Sequence, residues 1–312
     1  MAFDVVVLGS LHMDIVVSAP DRPRRGETVA GHAWSLKPGG KGGNQAVEAA
    51  CAGARTAMIG AIGGDEFGRA ILQNLRTFAV DTTHVGVRPD AGSGMSVAIV
   101  DAGGDYGAVI VSGANLLLSA AEVDAADRLF HAAGWLILQQ EVPDAANIAA
   151  AAKARQQGVR TILNAAPARP FPPPLRGFVD LLIVNEIEAE AMAAVGVDSL
   201  ATAMAAARRL LDFADAAIVT AGGAGAALAS RNGAAVEIPG HSVDLVSTHG
   251  AGDCFIGVLA ARLARGDGLE PAARYANAAA ALRVASPPGS ARAHDPAAIR
   301  ELLQSGDIEP IR

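Results

Sequence analysis

The sequence predicts an α/β fold with a doubly wound, mostly parallel sheet and a small antiparallel β-lid. Short, continuously apolar and β-branched runs recur along the chain, Ala-rich stretches with helical spacing lie between most of them, and two regions break this alternation. Continuously apolar strands are typical of parallel sheets whose two faces are both covered by helices. Crossovers of this length are right-handed in nearly all known cases.

The elements follow from these patterns in chain order. The predicted strands of the main sheet are 5–8, 57–62, 135–138, 161–163, 181–184 and 217–219, and the predicted helices are 44–52, 66–77, 144–157, 186–194, 199–213 and 252–265. Residues 11–36 and 94–112 carry shorter strand-like pieces joined by turns such as 101–105, and we assign them to the lid. Residues 1–10, 37–93 and 113–312 then form the core domain. The alternative is that the two regions supply ordinary edge strands of the main sheet.

Composition and charge exclude several functional classes. The net charge is −7 and the Lys and Arg residues are scattered, whereas a nucleic-acid surface usually needs a basic stripe. No segment reaches the roughly 18 consecutive apolar residues of a membrane span. The two cysteines, Cys51 and Cys254, are too few and too far apart for a disulfide framework or a zinc cluster. We therefore expect a cytoplasmic protein without a nucleic-acid or membrane partner.

Polar residues follow several of the predicted strands, at the point where each strand ends. Ligands of open parallel sheets bind outside the carboxyl ends of the strands, so these residues predict a cleft along that edge of the sheet. The turn after the first strand, Gly9-Ser10-Leu11-His12-Met13-Asp14, lacks the glycine pattern of dinucleotide dehydrogenases. Gly40-Lys41 is followed by Gly42, so no Walker motif is present either. The polar residues at the strand ends are Gln139, Gln140, Glu141, Asn164, Asn185, Glu186 and Thr220.

The segment Gly250-Ala251-Gly252-Asp253 opens a predicted helix and suggests an anion hole. Backbone N–H groups are free at this end, where the helix dipole adds about +0.5 elementary charge. Such a position suits the charge on phosphoryl oxygens during transfer. Asp253 beside it could take a proton from an attacking hydroxyl, or could be a plain N-terminal cap. We interpret Cys254, next to it, as core packing.

A second glycine cluster, Gly39-Gly40-Lys41-Gly42-Gly43-Asn44, precedes the helix at 44–52. Its glycines would let the backbone approach a small polyhydroxy ligand, to which Lys41 and Asn44 could donate hydrogen bonds. The alternative is a mere loop, in which consecutive glycines would carry a large entropy cost on ordering.

Over nearly its full length the chain resembles ribokinase-type sugar kinases of the PfkB (phosphofructokinase B) family. The family implies the fold predicted above, a lid that often serves for dimerisation, and transfer of the γ-phosphoryl group of ATP to a primary hydroxyl of a sugar or nucleoside. The matching stretches are 9–14, 26–29, 39–46, 60–68, 113–115, 164–168, 185–190 and 250–253.

The resemblance implies roles for individual residues. Asp253 matches the catalytic base, and the amides of Gly250, Ala251 and Gly252 match the anion hole. Asn185 and Glu188 match positions near the phosphates and Mg²⁺, which Glu188 would reach through water. The positions that match sugar contacts are Asp14, Gly40, Lys41, Asn44 and Glu141, and those that match the nucleotide pocket are Thr220, Gly222, Gly225 and Asn277. The resemblance also implies that the Ala-rich residues 276–285 form a helix along the adenine side.

Two departures from the family pattern bear on function. His12 stands where ribokinases usually carry Asn, in the motif that contacts sugar, so a changed sugar preference or pH dependence is a hypothesis, against a structural role. Ser247 stands where the family has an acid that helps to hold a monovalent cation. A hydroxyl is a weaker K⁺ ligand than a carboxylate, which puts activation by K⁺ in question. His249, two residues on, could bring an imidazolium near the anion hole.

Together these features predict an ATP- and Mg²⁺-dependent kinase for a small sugar, with ribose phosphorylated at O5 as the first choice. The alternatives are a nucleoside kinase, a kinase for another pentose, hexose or deoxysugar, and a non-catalytic sensor of sugar or nucleotide. The expected partners are the sugar, ATP and a second copy of the chain bound through the lid.

Overall fold

The computed structural model describes residues 2–103, 106–287 and 290–305. Within them the strands are β1 Val5–Leu8, β2 His12–Ser18, β3 Ala33–Gly39, β4 Thr56–Gly63, β5 Asp81–Arg88, β6 Gly94–Val100, β7 Tyr106–Val111, β8 Trp135–Gln139, β9 Arg160–Asn164, β10 Leu181–Val184, β11 Ala216–Thr220, β12 Gly225–Ser230 and β13 Ala235–Pro239. The helices are α1 Lys41–Cys51, α2 Glu66–Thr77, α3 Ala120–Ala125, α4 Asp127–Phe130, α5 Asp144–Gln156, α6 Glu186–Ala193, α7 Leu200–Leu210, α8 Ala251–Ala264, α9 Leu269–Val284 and α10 Pro296–Ser305. None of these helices is long and apolar enough to cross a membrane.

The main sheet has nine strands in the order β13-β12-β11-β10-β9-β8-β1-β4-β5. All pairings from β11 to β5 are parallel, and only β12 and β13 at one edge pair antiparallel. Alternate residues of β1 point to opposite faces, so that Val5 and Val7 join one apolar cluster while Val6 and Leu8 join the other. Both faces are therefore covered, and the predicted doubly wound, mostly parallel α/β fold is confirmed.

The small sheet has the order β3-β2-β6-β7. Its outer pairings are antiparallel, as expected, but β2 and β6 run parallel. The parallel pairing has a simple cause, since β2 and β6 follow β1 and β5, two strands that run in the same direction in the main sheet. Strand β3 continues to Gly39, beyond the predicted lid boundary at 36. Residues 104–105 of the predicted turn at 101–105 lie outside the described residues.

Helices α1 and α8 pack closely on one face of the main sheet because Gly257, in α8, has no side chain. A Cβ atom there would lie 2.6 Å from Cβ of Glu48 and 2.7 Å from the backbone nitrogen of Ala49, both in α1. The close contact brings the first turns of the two helices, each led by glycines, next to each other. The candidate site lies there.

Candidate active site

A cavity of about 260 Å³ lies where the carboxyl ends of β9, β10 and β11 face the N-terminus of α8. This is the edge at which the polar residues after each strand predicted a cleft. Asn164, one of these polar residues, lines the cavity, and so does Thr248, which was not predicted. The predicted site residues that line the cavity are Lys41, Asn185, Glu188, Thr220, Gly250, Ala251, Gly252 and Asp253.

Helix α8 begins without a side-chain cap. Its N-cap residue is Gly250, in the left-handed conformation with φ of 81°, and no side chain accepts a hydrogen bond from the first turn. The first N–H groups of an α-helix have no partner within the helix, so these amides can hold an anion in the cavity. Asp253 is not the N-cap residue, and its carboxylate accepts hydrogen bonds from another helix.

Two amide side chains of α1 hold the Asp253 carboxylate, one at each oxygen. Asn44 Nδ2 donates to Oδ2 and Gln45 Nε2 donates to Oδ1, both at 3.0 Å. Burial raises the pKa of Asp253, with Glu141 adding to the increase, although the positive charge of Lys41 and the two amide hydrogen bonds oppose it. A carboxylate with a raised pKa is a stronger general base, because it binds the abstracted proton more tightly.

Gln45 contacts the Asp253 carboxylate but was not among the residues predicted from the sequence. It is fully buried. Its Nε2 also donates to Asn164 Oδ1 at 3.1 Å, while its Oε1 accepts from Gln139 Nε2 at 2.9 Å. The only signal in the sequence was its place directly after Asn44, since the partners come from β8, β9 and α8.

The predicted sugar-contacting residues form a second group, centred on Glu141. The Ser10 hydroxyl and the backbone N–H of Lys41, the latter at 3.1 Å, both donate to Glu141 Oε2. His12 Nδ1 lies 4.0 Å from the same oxygen, and no described residue offers a hydrogen-bond partner to its buried Nε2. Lys41 joins this group to the cavity, because its backbone N–H donates to Glu141 and Lys41 lines the cavity together with Asp253.

The glycines of the second cluster permit close contacts around Asp14. Ser96 Oγ donates to Asp14 Oδ1 at 2.5 Å, and a Cβ atom on Gly39 would lie 2.1 Å from Asp14 Oδ2. Gly40 has a φ of 85°, and a Cβ atom on it would lie 2.8 Å from the backbone nitrogen of His12. The cluster is therefore a packed junction between β2, β3 and α1 rather than a loose loop.

On the other side of the cavity, Asn185 and Glu188 form the capping box of α6. The backbone N–H of Asn185 donates to Glu188 Oε2 at 2.7 Å, and the backbone N–H of Glu188 donates to Asn185 Oδ1 at 3.0 Å. Burial raises the pKa of Glu188, against the hydrogen bond from Asn185 and the charge of Lys41. Thus Lys41 acts electrostatically on both acids of the cavity, Asp253 and Glu188.

Three predicted nucleotide-pocket residues do not line the cavity. Asn277 Nδ2 donates to the backbone oxygen of Pro239 at 2.9 Å, where β13 ends. Gly225 has a φ of 112°, and a Cβ atom there would lie 2.1 Å from the backbone oxygen of Ile238. The fold therefore requires glycine at this position. Gly222 begins the 3-10 turn between β11 and β12, and Gly225 is the first residue of β12.

The loop before α8 carries the residues that depart from the family pattern. Ser247 Oγ accepts a hydrogen bond from the backbone N–H of His249 at 3.2 Å. Loss of hydration, and then the charge of Lys37, lower the pKa of His249, so the neutral imidazole is favoured beside the N-terminus of α8.

Cys254, in the first turn of α8, is fully buried in an apolar cluster, as expected for core packing.

The family model for the pfkB family carbohydrate kinases matches residues 2–294. The chain belongs to the PfkB family of carbohydrate kinases. It is 36% identical over 283 residues to a ribokinase of Bacillus subtilis, an alignment that covers 91% of this chain and 93% of that protein. It is 33% identical to a deoxyribokinase of Salmonella typhi, with 90% of this chain and 92% of that protein covered.

Among solved structures, this PfkB-family chain is similar to the Arabidopsis thaliana ribokinase in complex with ribose and ATP. The TM-score is 0.89 at 29% sequence identity, and the superposition covers 97% of this chain and 99% of that one. The chain is therefore an ATP-dependent carbohydrate kinase, and the predicted phosphotransferase activity is confirmed.

Proposed function

We propose that this PfkB-family kinase is a ribokinase that transfers the γ-phosphoryl group of ATP to the O5 hydroxyl of ribose, with Asp253 as the general base. The observation that carries the proposal is the position of Asp253 at the cavity, between the amides of Asn44 and Gln45 and beside the N-terminus of α8. The Bacillus subtilis and Arabidopsis thaliana ribokinases, similar over nearly the whole chain, support ribose as the sugar. The Salmonella typhi deoxyribokinase makes a deoxysugar the second candidate.

Each residue has a defined task in this reaction. Asp253 removes the proton from the sugar hydroxyl, whose oxygen forms the new bond to phosphorus while the bond between that phosphorus and the departing ADP oxygen breaks. The backbone amides of Gly250, Ala251 and Gly252 hold the phosphoryl oxygens, where negative charge is spread in the transition state. We propose that Asp14 and the group around Glu141 orient the sugar, because they pack against Gly39 and Lys41 at the start of α1, the helix whose Asn44 and Gln45 hold Asp253.

The residues on the nucleotide side fit a magnesium ion. Mg²⁺ prefers oxygen ligands, keeps several waters and is usually held by one or two carboxylates together with substrate phosphates. Glu188 supplies a buried carboxylate to the cavity, and its Oε2 is already held by the backbone N–H of Asn185. Bound near Glu188, Mg²⁺ would neutralise charge on the phosphates.

A panel of substrates tests the proposed function. Purified protein with Mg-ATP is incubated with ribose, deoxyribose, other pentoses, hexoses and nucleosides, and ADP release is followed with K⁺ or with Na⁺ as the only monovalent cation. We expect ribose to give the highest kcat/KM. We also expect little stimulation by K⁺, because Ser247 offers a hydroxyl in place of a carboxylate.

Higher kcat/KM with a nucleoside or a hexose than with ribose would contradict the proposed substrate. A large stimulation by K⁺ would contradict the prediction that Ser247 weakens the monovalent-cation site.

Cys51 and Cys254 are free thiols, which supports the reducing cytoplasm as the compartment in which to look for the activity.

We also propose that two copies of the chain associate through the small sheet. Its strands β3 and β7 expose large apolar side chains, among them Trp34 at 70% exposure and Val109 at 67%. Contiguous exposed apolar side chains of this kind mark interaction surfaces.

Trp34→Glu should shift the molecular mass in light scattering from dimer to monomer, whereas Phe78→Glu, at an exposed site outside this sheet, should leave the mass unchanged. A parent protein that is monomeric at all concentrations would refute the proposal.

A further inference from the structure

A cluster of charged residues lies behind the start of α8, outside the lining of the cavity. Glu48 of α1 is buried, and its two carboxylate oxygens face different partners. Arg283 Nη2, from the end of α9, lies 3.5 Å from Oε1, and His294 Nε2 lies 2.6 Å from Oε2. The cluster therefore joins α1, α9 and the segment before α10.

The guanidinium group of Arg283 packs directly against the first residue of the anion hole. Its Nε and Nη2 atoms are each 3.7 Å from the position that a Cβ atom would take on Gly250. The neighbouring residue, Val284, accepts hydrogen bonds from the backbone N–H groups of Val246 and Ser247 at 2.8 and 3.1 Å. The backbone at the end of α9 is thus fixed to the loop that leads into α8, which keeps Arg283 close to Gly250.

Glu48 is suited to hold this guanidinium group in place. Burial would raise the pKa of Glu48, but the hydrogen bond from His294 and the charges of His294 and Arg283 outweigh burial and lower it. The carboxyl group is therefore ionised at neutral pH. An arginine stays protonated in the pH range in which enzymes work.

A metal site is the other interpretation of this cluster, since Glu48, Cys254 and His294 place ligand atoms within 4.8 Å of one another. A metal would compete with Arg283 for Glu48 and would need a thiolate at Cys254. Burial and the nearby Glu48 raise the pKa of the Cys254 thiol well above its ordinary value. The contacts therefore favour an ion pair over a metal site.

We propose that Arg283 is a positioning residue of the anion hole, whose guanidinium group, anchored by Glu48, places a fixed positive charge behind Gly250. A preorganised charge beside the point where negative charge develops stabilises the transition state without reorganisation. The inference rests on the proposed function, because it assigns the phosphoryl group to the Gly250 end of α8. Arg283 does not line the cavity, so its charge acts from behind the backbone of Gly250.

The test removes the charge without leaving a buried partner unpaired. In the double variant Arg283→Met with Glu48→Gln, kcat for the best sugar should fall about tenfold or more, while KM for that sugar stays within about twofold. Arg283→Lys, which keeps a charge, should retain more kcat than Arg283→Met. The matched control is Arg274→Met on the same helix, which removes an arginine paired with the exposed Glu270 and should leave kcat unchanged.

Parent-like kcat in the double variant would overturn the inference, because Arg283 would then serve only to neutralise Glu48. A loss confined to KM would overturn it as well. If the parent protein phosphorylated no sugar of the panel, the proposed function itself would fail, and that result is obtained before any variant is made.

Discussion

Replacement of Asp253 by Asn is expected to lower kcat by about 10²–10⁴-fold while the KM values for sugar and ATP stay close to those of the parent. Asparagine has nearly the same shape, and it leaves the N-terminus of α8 and the cavity wall in place. It cannot accept the proton of the sugar hydroxyl. The measurement is steady-state ADP release with the best sugar of the panel, and a kcat within a few-fold of the parent value would show that Asp253 is not the base.

Thermal stability provides the control for this variant. The pKa of Asp253 is raised in the folded protein, mainly by burial, so the folded state favours the protonated acid. The stability that this preference contributes is complete at low pH and is lost as the pH rises through the raised pKa. Above the raised pKa the ionised carboxylate therefore opposes folding. The Tm of Asp253→Asn should be at least that of the parent, so a loss of rate cannot be ascribed to unfolding.

Gln45→Leu is expected to lower kcat/KM at pH 6 by about tenfold or more and to move the acidic limb of the pH profile to higher pH. Leucine removes the hydrogen bond to Asp253 Oδ1, and hydrogen bonds to charged groups contribute about 1.5–3 kcal/mol. Loss of this donor disfavours the carboxylate and raises the pKa of Asp253 further. Since the base must be deprotonated, activity is lost at a higher pH than in the parent. The full pH dependence of kcat/KM is the measurement.

Asn147→Leu is the matched control, because it removes another fully buried amide. Asn147 Nδ2 donates to the backbone oxygen of Gln139 at 2.7 Å, on strand β8, and has no contact with the base. This variant should lose stability while the acidic limb stays in place. If both variants lost stability and neither moved the limb, Gln45 would be a packing residue only.

The sequence predicted the centre of the fold better than its edges. Strands buried on both faces, such as β1 and β10, are continuously apolar, and the predicted bounds of these two are those of the structure. The edge strands β5, β12 and β13 were missed. Strand β5 mixes polar and apolar residues, and β12 consists mostly of Gly, Ala and Ser, so neither carries the strong apolar signal of a buried strand. Helix α9 begins at Leu269, before the predicted start at 276, because an Ala-rich pattern marks a helix better than its first turn.

The candidate site was predictable where chemistry and local pattern coincide. Glycines directly before a helix indicate an anion hole from a few consecutive residues, and the structure places 250–253 at the cavity as expected. Gln45 and Arg283 contact residues that are far from them in sequence, Asp253 and Gly250 respectively. No local pattern distinguishes a glutamine that holds a distant carboxylate from one that packs in the core. Only the contact between α1, α8 and α9 gives these two residues a role.

The absence of a side chain at Gly257 has a consequence for how such an enzyme can diversify. The spacing between the Asp253 carboxylate, the proposed base, and its two amide donors is set by two helix backbones in contact, and the small sheet takes no part in it. If the proposed function holds, residues of the small sheet can be exchanged to change the acceptor while the carboxylate and its donors stay in place. A methyl group added at position 257 would change turnover for every acceptor alike.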